Sequence, residues 1–198
     1  MKSATKILLV ALAAGTLGAL ASALTSGPGP LLRSELGQRV LNSMLSASAP
    51  KPPAGVTMAR RGQPMPLLTL PDLDGHRVTL PTAYAGRPLL INVWASWCGP
   101  CVREMPGLQR YSAKQAANGV QVVGIALDDP TAVRAFLQHV PVSYPILLDP
   151  PGAADAGVRL GNPRGVLPYS VLVSADGRVL KQRIGPFADD EIDTWAQP

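Results

Sequence analysis

An almost wholly apolar run, PLLINVWA from Pro88 to Ala95, ends directly at the sequence SWCGPC. Eight residues of this kind are typical of a strand that is covered on both faces of a sheet. The next segment, VREMPGLQRYSAKQAANG, predicts a helix that ends near Gly119, with a kink at Pro106, where the proline ring removes a backbone hydrogen bond. A buried strand followed at once by a helix indicates a sheet with covering helices.

The flanking segments extend this pattern. PLLTLPDLDGHRVTL predicts a hairpin with its turn at Asp74 and Gly75, VQVVGIALD a second buried strand, and PTAVRAFLQHV a helix that begins at Pro130. PILLD predicts a third strand, LPYSVLVSADGRVLKQRI two strands around Asp176 and Gly177, and ADDEIDTWAQ a closing helix. The order predicts an α/β fold with a central mixed β-sheet flanked by helices and an N-terminal β-hairpin extension.

The N-terminus indicates export. Lys2 and Lys6 precede 18 uncharged, mostly apolar residues from Ile7 to Leu24, a length at the threshold for crossing a bilayer. Residues 1–24 are therefore predicted to be a signal peptide or a membrane anchor, and the length favours the anchor. The leading lysines should stay in the cytoplasm, so the rest of the chain would be periplasmic or otherwise extracytoplasmic, either tethered to the inner membrane or released after cleavage.

Residues 25–61 are rich in Pro, Gly and Ser and predict a linker, within which LLRSELGQRVLNSML could form a short helix. Residues 62–198 form the predicted catalytic domain. The net charge of +5 includes the two lysines of the leader, and the remaining arginines are scattered rather than clustered with aromatic residues. This distribution argues against nucleic acid as a partner.

The chain contains two cysteines, Cys98 and Cys101, both within WCGPC. At a helix start, this spacing lets the sulfur atoms close a disulfide with little movement, and we expect the first to be exposed and the second shielded. Free backbone N–H groups and the helix dipole favour the Cys98 thiolate. Cys98 would attack a disulfide of another protein, and Cys101 would resolve the mixed disulfide.

Three other interpretations of the pair are weaker. A structural disulfide would close a very short loop and constrain little of the unfolded chain. A zinc site would need two more ligands, and His76 and His139 are not suitably spaced. A copper site would favour nearby methionines, which do not cluster here. No metal site is therefore predicted.

At these residues the chain resembles the thioredoxin superfamily, and most closely its TlpA, ResA and DsbE (CcmG) branch of exported reductases. The resemblance extends from about Gly62 to the C-terminus. INVWASWCGPCVREMPGLQRY is similar to the active-site segment of the family, and GVLPYSVLVSADGRVL is similar to its cis-proline strand and hairpin. The resemblance implies a thioredoxin-like fold and thiol-disulfide oxidoreductase activity.

The resemblance also implies roles for individual residues. Cys98 would be the nucleophile, Cys101 the resolving thiol, and Glu104 the acceptor of the Cys101 proton. Thioredoxin itself has a buried acid where this sequence has Asn92, so this chain departs from thioredoxin there. The residues implied to bind the partner protein, through the loop and through the backbone before a cis-proline, are Trp97, Gly99, Pro100, Leu167 and Pro168.

The leading functional hypothesis is a monomeric protein-disulfide reductase that acts on exported thiols, such as those of apocytochrome c or of a copper-assembly protein. A membrane thiol donor would supply its electrons. No nucleotide, flavin or haem motif is present in the sequence, so no cofactor is expected beyond the two cysteines. The alternatives left open are a disulfide-forming oxidase or isomerase with the same chemistry, and a non-enzymatic copper carrier.

Overall fold

The structure is a computed structural model that describes residues 34–49, 51–115 and 119–198. Its chain divides into two compact units, Met1–Met44 and Leu45–Pro198. The short helix predicted in the linker is present as α1 (Glu35–Ala47), which crosses the boundary between the units. The predicted signal peptide or anchor, residues 1–24, lies outside the described residues. Within the described ranges, no helix combines the length and the apolar character that a membrane span requires.

A five-stranded sheet and a separate two-stranded hairpin organise the second unit. The strands are β1 (Leu68–Pro71), β2 (Arg77–Leu80), β3 (Leu89–Trp94), β4 (Gln121–Ala126), β5 (Ile146–Leu148), β6 (Tyr169–Val173) and β7 (Val179–Ile184). The helices are α2 (Gly99–Lys114), α3 (Pro130–His139), α4 (Ala156–Arg159) and α5 (Glu191–Trp195). The strand order is β5-β4-β3-β6-β7. β4 pairs in parallel with both β3 and β5, and β6 pairs antiparallel with both β3 and β7. This mixed sheet and the preceding hairpin confirm the predicted fold class.

Strand β3 is the centre of the sheet, and all six of its residues are buried. It pairs in parallel with β4 on one side and antiparallel with β6 on the other. Its apolar sequence therefore follows from its position, because a central strand faces side chains on both surfaces of the sheet. The strand ends at Trp94, four residues before Cys98.

The predicted hairpin is also present. The Asp72 carboxylate accepts hydrogen bonds from the backbone N–H groups of Asp74 and His76, at 2.9 and 2.8 Å. Gly75 has a φ of 88°, a conformation that favours glycine. Together these features form the turn that joins β1 to β2.

Helix α2 ends earlier than the sequence predicted. The helix was expected to continue to about Gly119, but its last residue is Lys114. Gln115 adopts an extended backbone conformation, and its side chain donates to the Tyr111 carbonyl and accepts from the Val120 N–H. These two bonds satisfy polar groups that a longer helix would have satisfied itself. Pro106 lies inside α2, as predicted.

Candidate active site

Cys98 and Cys101 form a disulfide at the N-terminus of α2, with a Cα–Cα distance of 5.3 Å. Cys98 is the N-cap residue of the helix, and its Sγ atom accepts a hydrogen bond of 3.3 Å from the Cys101 N–H. Gly99 and Pro100 occupy the first two helical positions. Proline is tolerated there because these backbone N–H groups have no partner within the helix. The sulfur of Cys98 thus lies where the backbone best stabilises a thiolate.

Cys98 is more buried than the sequence indicated. We expected it to be exposed, but its exposed fraction is 5%, against 0% for Cys101. The reason is that the disulfide belongs to the hydrophobic core cluster that also contains Ala95 and Met105. Trp97 beside it is 70% exposed. The order of accessibility is as predicted, but access to Cys98 is narrow.

An acid that the sequence analysis did not identify fixes the segment before Cys98. The Asp128 carboxylate accepts hydrogen bonds from the Ser96 N–H at 3.0 Å and from the Ser96 hydroxyl at 2.5 Å. Burial acts to raise the pKa of Asp128, but the two hydrogen bonds from Ser96 and one from the Asp129 N–H together outweigh it and hold this pKa below its usual value. Asp128 follows β4, which runs parallel to β3. The sequence could have indicated this contact, because residues that follow two parallel neighbouring strands lie at the same end of the sheet.

Glu104 is buried one turn after Cys101, with an exposed fraction of 6%. Its Oε1 atom accepts a 2.8 Å hydrogen bond from the Asn92 side chain, and its Oε2 atom accepts a 3.0 Å bond from the Phe187 backbone N–H. Burial raises the pKa of Glu104 to about 7, and the two hydrogen bonds and the charge of Arg183 oppose this rise. Glu104 is therefore a buried acid and not a solvated surface glutamate.

Asn92 connects the central sheet to this acid. It lies on β3 opposite Ser170 of β6, and its side-chain amide also donates to the Ser170 hydroxyl at 3.1 Å. Asn92 is 1% exposed. Its Oδ1 atom has no hydrogen-bond partner among the described residues. The position where thioredoxin has an acid thus supplies a neutral donor to Glu104.

The Leu167–Pro168 peptide bond is cis, as the family resemblance implied. Pro168 is buried and directly precedes β6, whose first residue, Tyr169, pairs with Val93 near the end of β3. Because β6 begins where its antiparallel neighbour β3 ends, Leu167 and Pro168 lie at the same end of the sheet as the cysteine pair. A second cis bond, at Leu80–Pro81, was not predicted.

The loop before Pro168 is held by one side chain. Asn162 is buried, and its side-chain amide donates to the Val166 carbonyl at 2.8 Å and accepts from the Val166 N–H at 3.2 Å. Both backbone polar groups of Val166 are therefore bound by one side chain, as they would be by a neighbouring strand. These bonds fix the backbone one residue before Leu167, the residue implied to pair with a partner peptide.

Comparison with known proteins agrees with this geometry. The Redoxin family model matches residues 60–195. The thiol-disulfide oxidoreductase ResA of Bacillus thuringiensis (strain Al Hakam) is 29% identical over 137 residues, which cover 68% of this chain and 75% of that protein.

Two solved structures are similar as well. The crystal structure of a putative thiol:disulfide interchange protein DsbE from Chlorobium tepidum has 31% identity and a TM-score of 0.59, covering 69% of this chain and 94% of that one. The solution structure of a putative protein disulfide isomerase from Bacteroides thetaiotaomicron has 29% identity and a TM-score of 0.60, covering 70% and 87%. The chain therefore belongs to the Redoxin family and, within the thioredoxin superfamily, to the thiol-disulfide oxidoreductases that resemble ResA and DsbE.

Proposed function

We propose that this oxidoreductase works as a reductase of disulfides in exported proteins, with Cys98 as its nucleophile and Cys101 as its resolving thiol. The observation that carries the assignment of nucleophile and resolving thiol is the unequal placement of the two sulfur atoms. Cys98 caps helix α2, and Cys101 is fully buried next to the turn that carries Glu104. A partner disulfide can approach the first sulfur, whereas the second is reached only from within the protein.

The reaction proceeds in two exchange steps. In the reduced enzyme, the Cys98 thiolate attacks one sulfur of the partner's disulfide, forms a mixed disulfide and releases the other partner sulfur as a thiolate. Cys101 then loses its proton, and its thiolate attacks the Cys98 sulfur. The mixed disulfide breaks, and the second partner sulfur leaves as a thiolate. The enzyme ends with the Cys98–Cys101 disulfide, and the partner has gained two electrons.

Glu104 is the proposed acceptor of the Cys101 proton. It lies three residues after Cys101 on the same helix face, and its carboxyl group is buried between β3 and the loop at Phe187. A pKa of about 7 means that both protonation states are populated near neutral pH, which suits a group that takes up and returns a proton.

The partner would bind around the exposed Trp97. This indole is 70% exposed next in sequence to a cysteine that is 5% exposed, which supports a partner-binding surface that includes it. Gly99 and Pro100 would shape the loop that the partner faces, and the backbone at Leu167, before Pro168, would pair with an extended segment of the partner. Aromatic side chains of this kind contribute large contact areas at protein interfaces.

The proposed setting is extracytoplasmic. The apolar segment that follows Lys2 and Lys6 supports export, by a cleaved signal peptide or a retained anchor. A membrane thiol donor would return the Cys98–Cys101 disulfide to the dithiol after each turnover. The proposed substrates are exported cysteine pairs, such as those of apocytochrome c or of a copper-assembly protein.

The direction of the reaction is tested by measuring the redox potential of the full-length protein against glutathione, together with its ability to reduce insulin. A potential more negative than about −200 mV with insulin-reducing activity is expected of a reductase. A less negative potential with disulfide-forming activity would overturn this proposal in favour of an oxidase or isomerase. Tight stoichiometric Cu(I) binding by the dithiol, without insulin reduction, would favour a copper carrier.

A further inference from the structure

An ion pair between a buried arginine and a partly exposed glutamate, which the proposed chemistry does not use, lies close to Glu104. Arg183 on β7 is 1% exposed and forms two parallel hydrogen bonds with Glu191, the first residue of α5. The Nη1 atom donates to Oε1 at 2.9 Å, and the Nη2 atom donates to Oε2 at 3.0 Å. A planar guanidinium that binds a carboxylate in this way holds both groups in one geometry.

The two charged groups also bind the loop that joins β7 to α5. The Arg183 Nη2 atom donates to the Pro186 carbonyl at 3.0 Å, and its guanidinium carbon lies 4.7 Å from the centre of the Phe187 ring. Glu191 Oε2 accepts from the Ala188 N–H at 2.8 Å. Three successive residues of the loop are therefore fixed by one ion pair.

The middle residue of the three carries the contact with the active site. The Phe187 backbone N–H donates to Glu104 Oε2 at 3.0 Å. This bond and the bond from Asn92 are the two hydrogen bonds to the Glu104 carboxyl group among the described residues. One of the two donors to the buried acid therefore depends on the conformation of the loop.

We propose that Arg183 and Glu191 are positioning residues for the active-site acid, because their ion pair fixes the loop from which the Phe187 N–H binds Glu104. The importance of this ion pair for catalysis rests on the proposed role of Glu104 as proton acceptor. The positions of the loop and of the acid can be measured whether or not that role is correct.

The ion pair should also affect the ionisation of Glu104. The Phe187 hydrogen bond and the positive charge of Arg183 both lower the pKa of Glu104 against the effect of burial. Loss of the pair should therefore raise this pKa further. Tyr144, from the loop before β5, and Cys101 also face this region. A cleft between α2 and α5, which Glu104 and Tyr111 line, carries six further charged residues: Arg103, Arg110, Lys114, Asp189, Asp190 and Asp193.

The test replaces both partners at once with apolar side chains, in Arg183→Met/Glu191→Leu. Removing Glu191 alone would leave the buried charge of Arg183 unpaired, which is strongly destabilising, whereas an apolar pair of similar volume is often tolerated. The matched control is Lys114→Met/Asp193→Leu. Those residues form a 2.9 Å ion pair that joins α2 to α5, and among the described residues neither side chain hydrogen-bonds to Pro186, Phe187 or Ala188.

The pKa of Glu104 is measured in the reduced full-length protein by ¹³C NMR of the glutamate carboxyl groups. The chain has three glutamates, Glu35, Glu104 and Glu191, and a Glu104→Gln variant assigns the signal. We expect the pKa to rise by about one unit in Arg183→Met/Glu191→Leu and to be unchanged in the control. Exchange of the Phe187 amide hydrogen should accelerate at least about tenfold in the first variant only.

A folded Arg183→Met/Glu191→Leu protein with the wild-type Glu104 pKa and wild-type Phe187 exchange would overturn the inference. So would equal changes in the control, since they would reflect loosening of α5 in general. If the double variant does not fold, Arg183→Lys is tested instead. This variant keeps the positive charge but loses the planar set of N–H donors that binds Glu191 and Pro186 together. Faster Phe187 exchange in that variant supports the inference, and wild-type exchange refutes it. Wild-type resolution of mixed disulfides by Glu104→Gln would remove only the proton role of Glu104.

Discussion

The side-chain amide of Asn92 on β3 donates a 2.8 Å hydrogen bond to the carboxylate of Glu104 on α2. The strand position that holds an acid in thioredoxin therefore supplies a neutral donor here, and the ionisable group comes from the helix. Because Asn92 carries no charge, Glu104 faces no second carboxylate from the sheet. The Glu104 carboxyl group is thus the titratable group that lies between the central strand and the helix that carries Cys101.

The raised pKa of Glu104 predicts a pH-dependent stability. Its pKa is about 7 in the folded protein, against 4.5 as the reference value, so between these values the folded state binds more protons than the unfolded state. The contribution is fully present below about pH 4.5 and is lost as the pH rises through 7, with a total on the order of 3 kcal/mol.

Denaturant unfolding at pH 5 and pH 8 measures this effect as the difference between wild type and Glu104→Gln. The wild type should lose more stability than the variant between these pH values. The comparison uses the change with pH rather than absolute stability, because the Gln amide cannot accept bonds from both Asn92 and Phe187. Parallel pH curves for the two proteins would show that Glu104 titrates normally.

The unequal placement of the sulfur atoms predicts which cysteine variant traps partners. Cys101→Ser should accumulate mixed disulfides through Cys98, since the resolving thiol is absent. Cys98→Ser should accumulate few, because Cys101 has no exposed surface. Non-reducing electrophoresis of cells that express each variant, followed by mass spectrometry, measures this. The opposite pattern would reverse the proposed roles of the two cysteines.

The exposure of Trp97 predicts a change in partner binding without a change in stability. Trp97→Ala removes a side chain that is 70% exposed, so the free energy of unfolding should change by less than about 0.5 kcal/mol. The rate of insulin reduction should fall, whereas exchange with glutathione, a small thiol, should be little affected. Leu67→Ala, at a residue 62% exposed and outside the cysteine segment, is the control and should alter neither rate.

The packing around Gly124 predicts a position on β4 where even a methyl group is too large. A Cβ atom there would lie 2.6 Å from Ile146 Cδ1, the end of a flexible side chain, and also 3.1 Å from Nε1 of the fully buried Trp94 and 3.3 Å from the Tyr144 ring, which would both have to shift. Gly124→Ala should therefore destabilise the protein by about 1–3 kcal/mol. Gly152→Ala is the control, because a Cβ atom there meets no heavy atom within 4 Å. Equal unfolding midpoints for the two variants would contradict this account of the sheet.

The sequence was most informative where local pattern and tertiary position agree. The apolar run that became β3 is typical of a strand at the centre of a sheet, and the Asp74-Gly75 turn specified its hairpin locally. The WCGPC sequence likewise predicted a cysteine pair at the start of a helix, because it directly follows the buried strand. The predicted end of α2 was wrong because the helix ends where the Gln115 side chain binds the Tyr111 carbonyl and the Val120 N–H. A helical pattern of residues does not reveal such side-chain contacts.

The residues that support the site were not predicted because their partners are distant in sequence. Asp128, just after β4, binds Ser96, just after β3. Arg183 acts on Glu104 through its charge and, by hydrogen bonds, through the loop at Phe187. Neither arginine nor aspartate is unusual at a strand end. The burial of Cys98 was underestimated for a related reason, since the exposure of a helix N-cap depends on what packs against the preceding strand.

Pro106 has a consequence for the segment that carries the disulfide. Proline has no amide hydrogen, so Pro106 cannot donate to the carbonyl of Val102, four residues earlier in α2. One backbone hydrogen bond is therefore absent between the turn with the two sulfur atoms and the turn that carries Glu104. The second of these turns is held by side chains, through the buried Met105 and through the hydrogen bonds of Glu104 to Asn92 and Phe187. The alignment of the two turns thus depends on core packing as well as on the backbone of the helix.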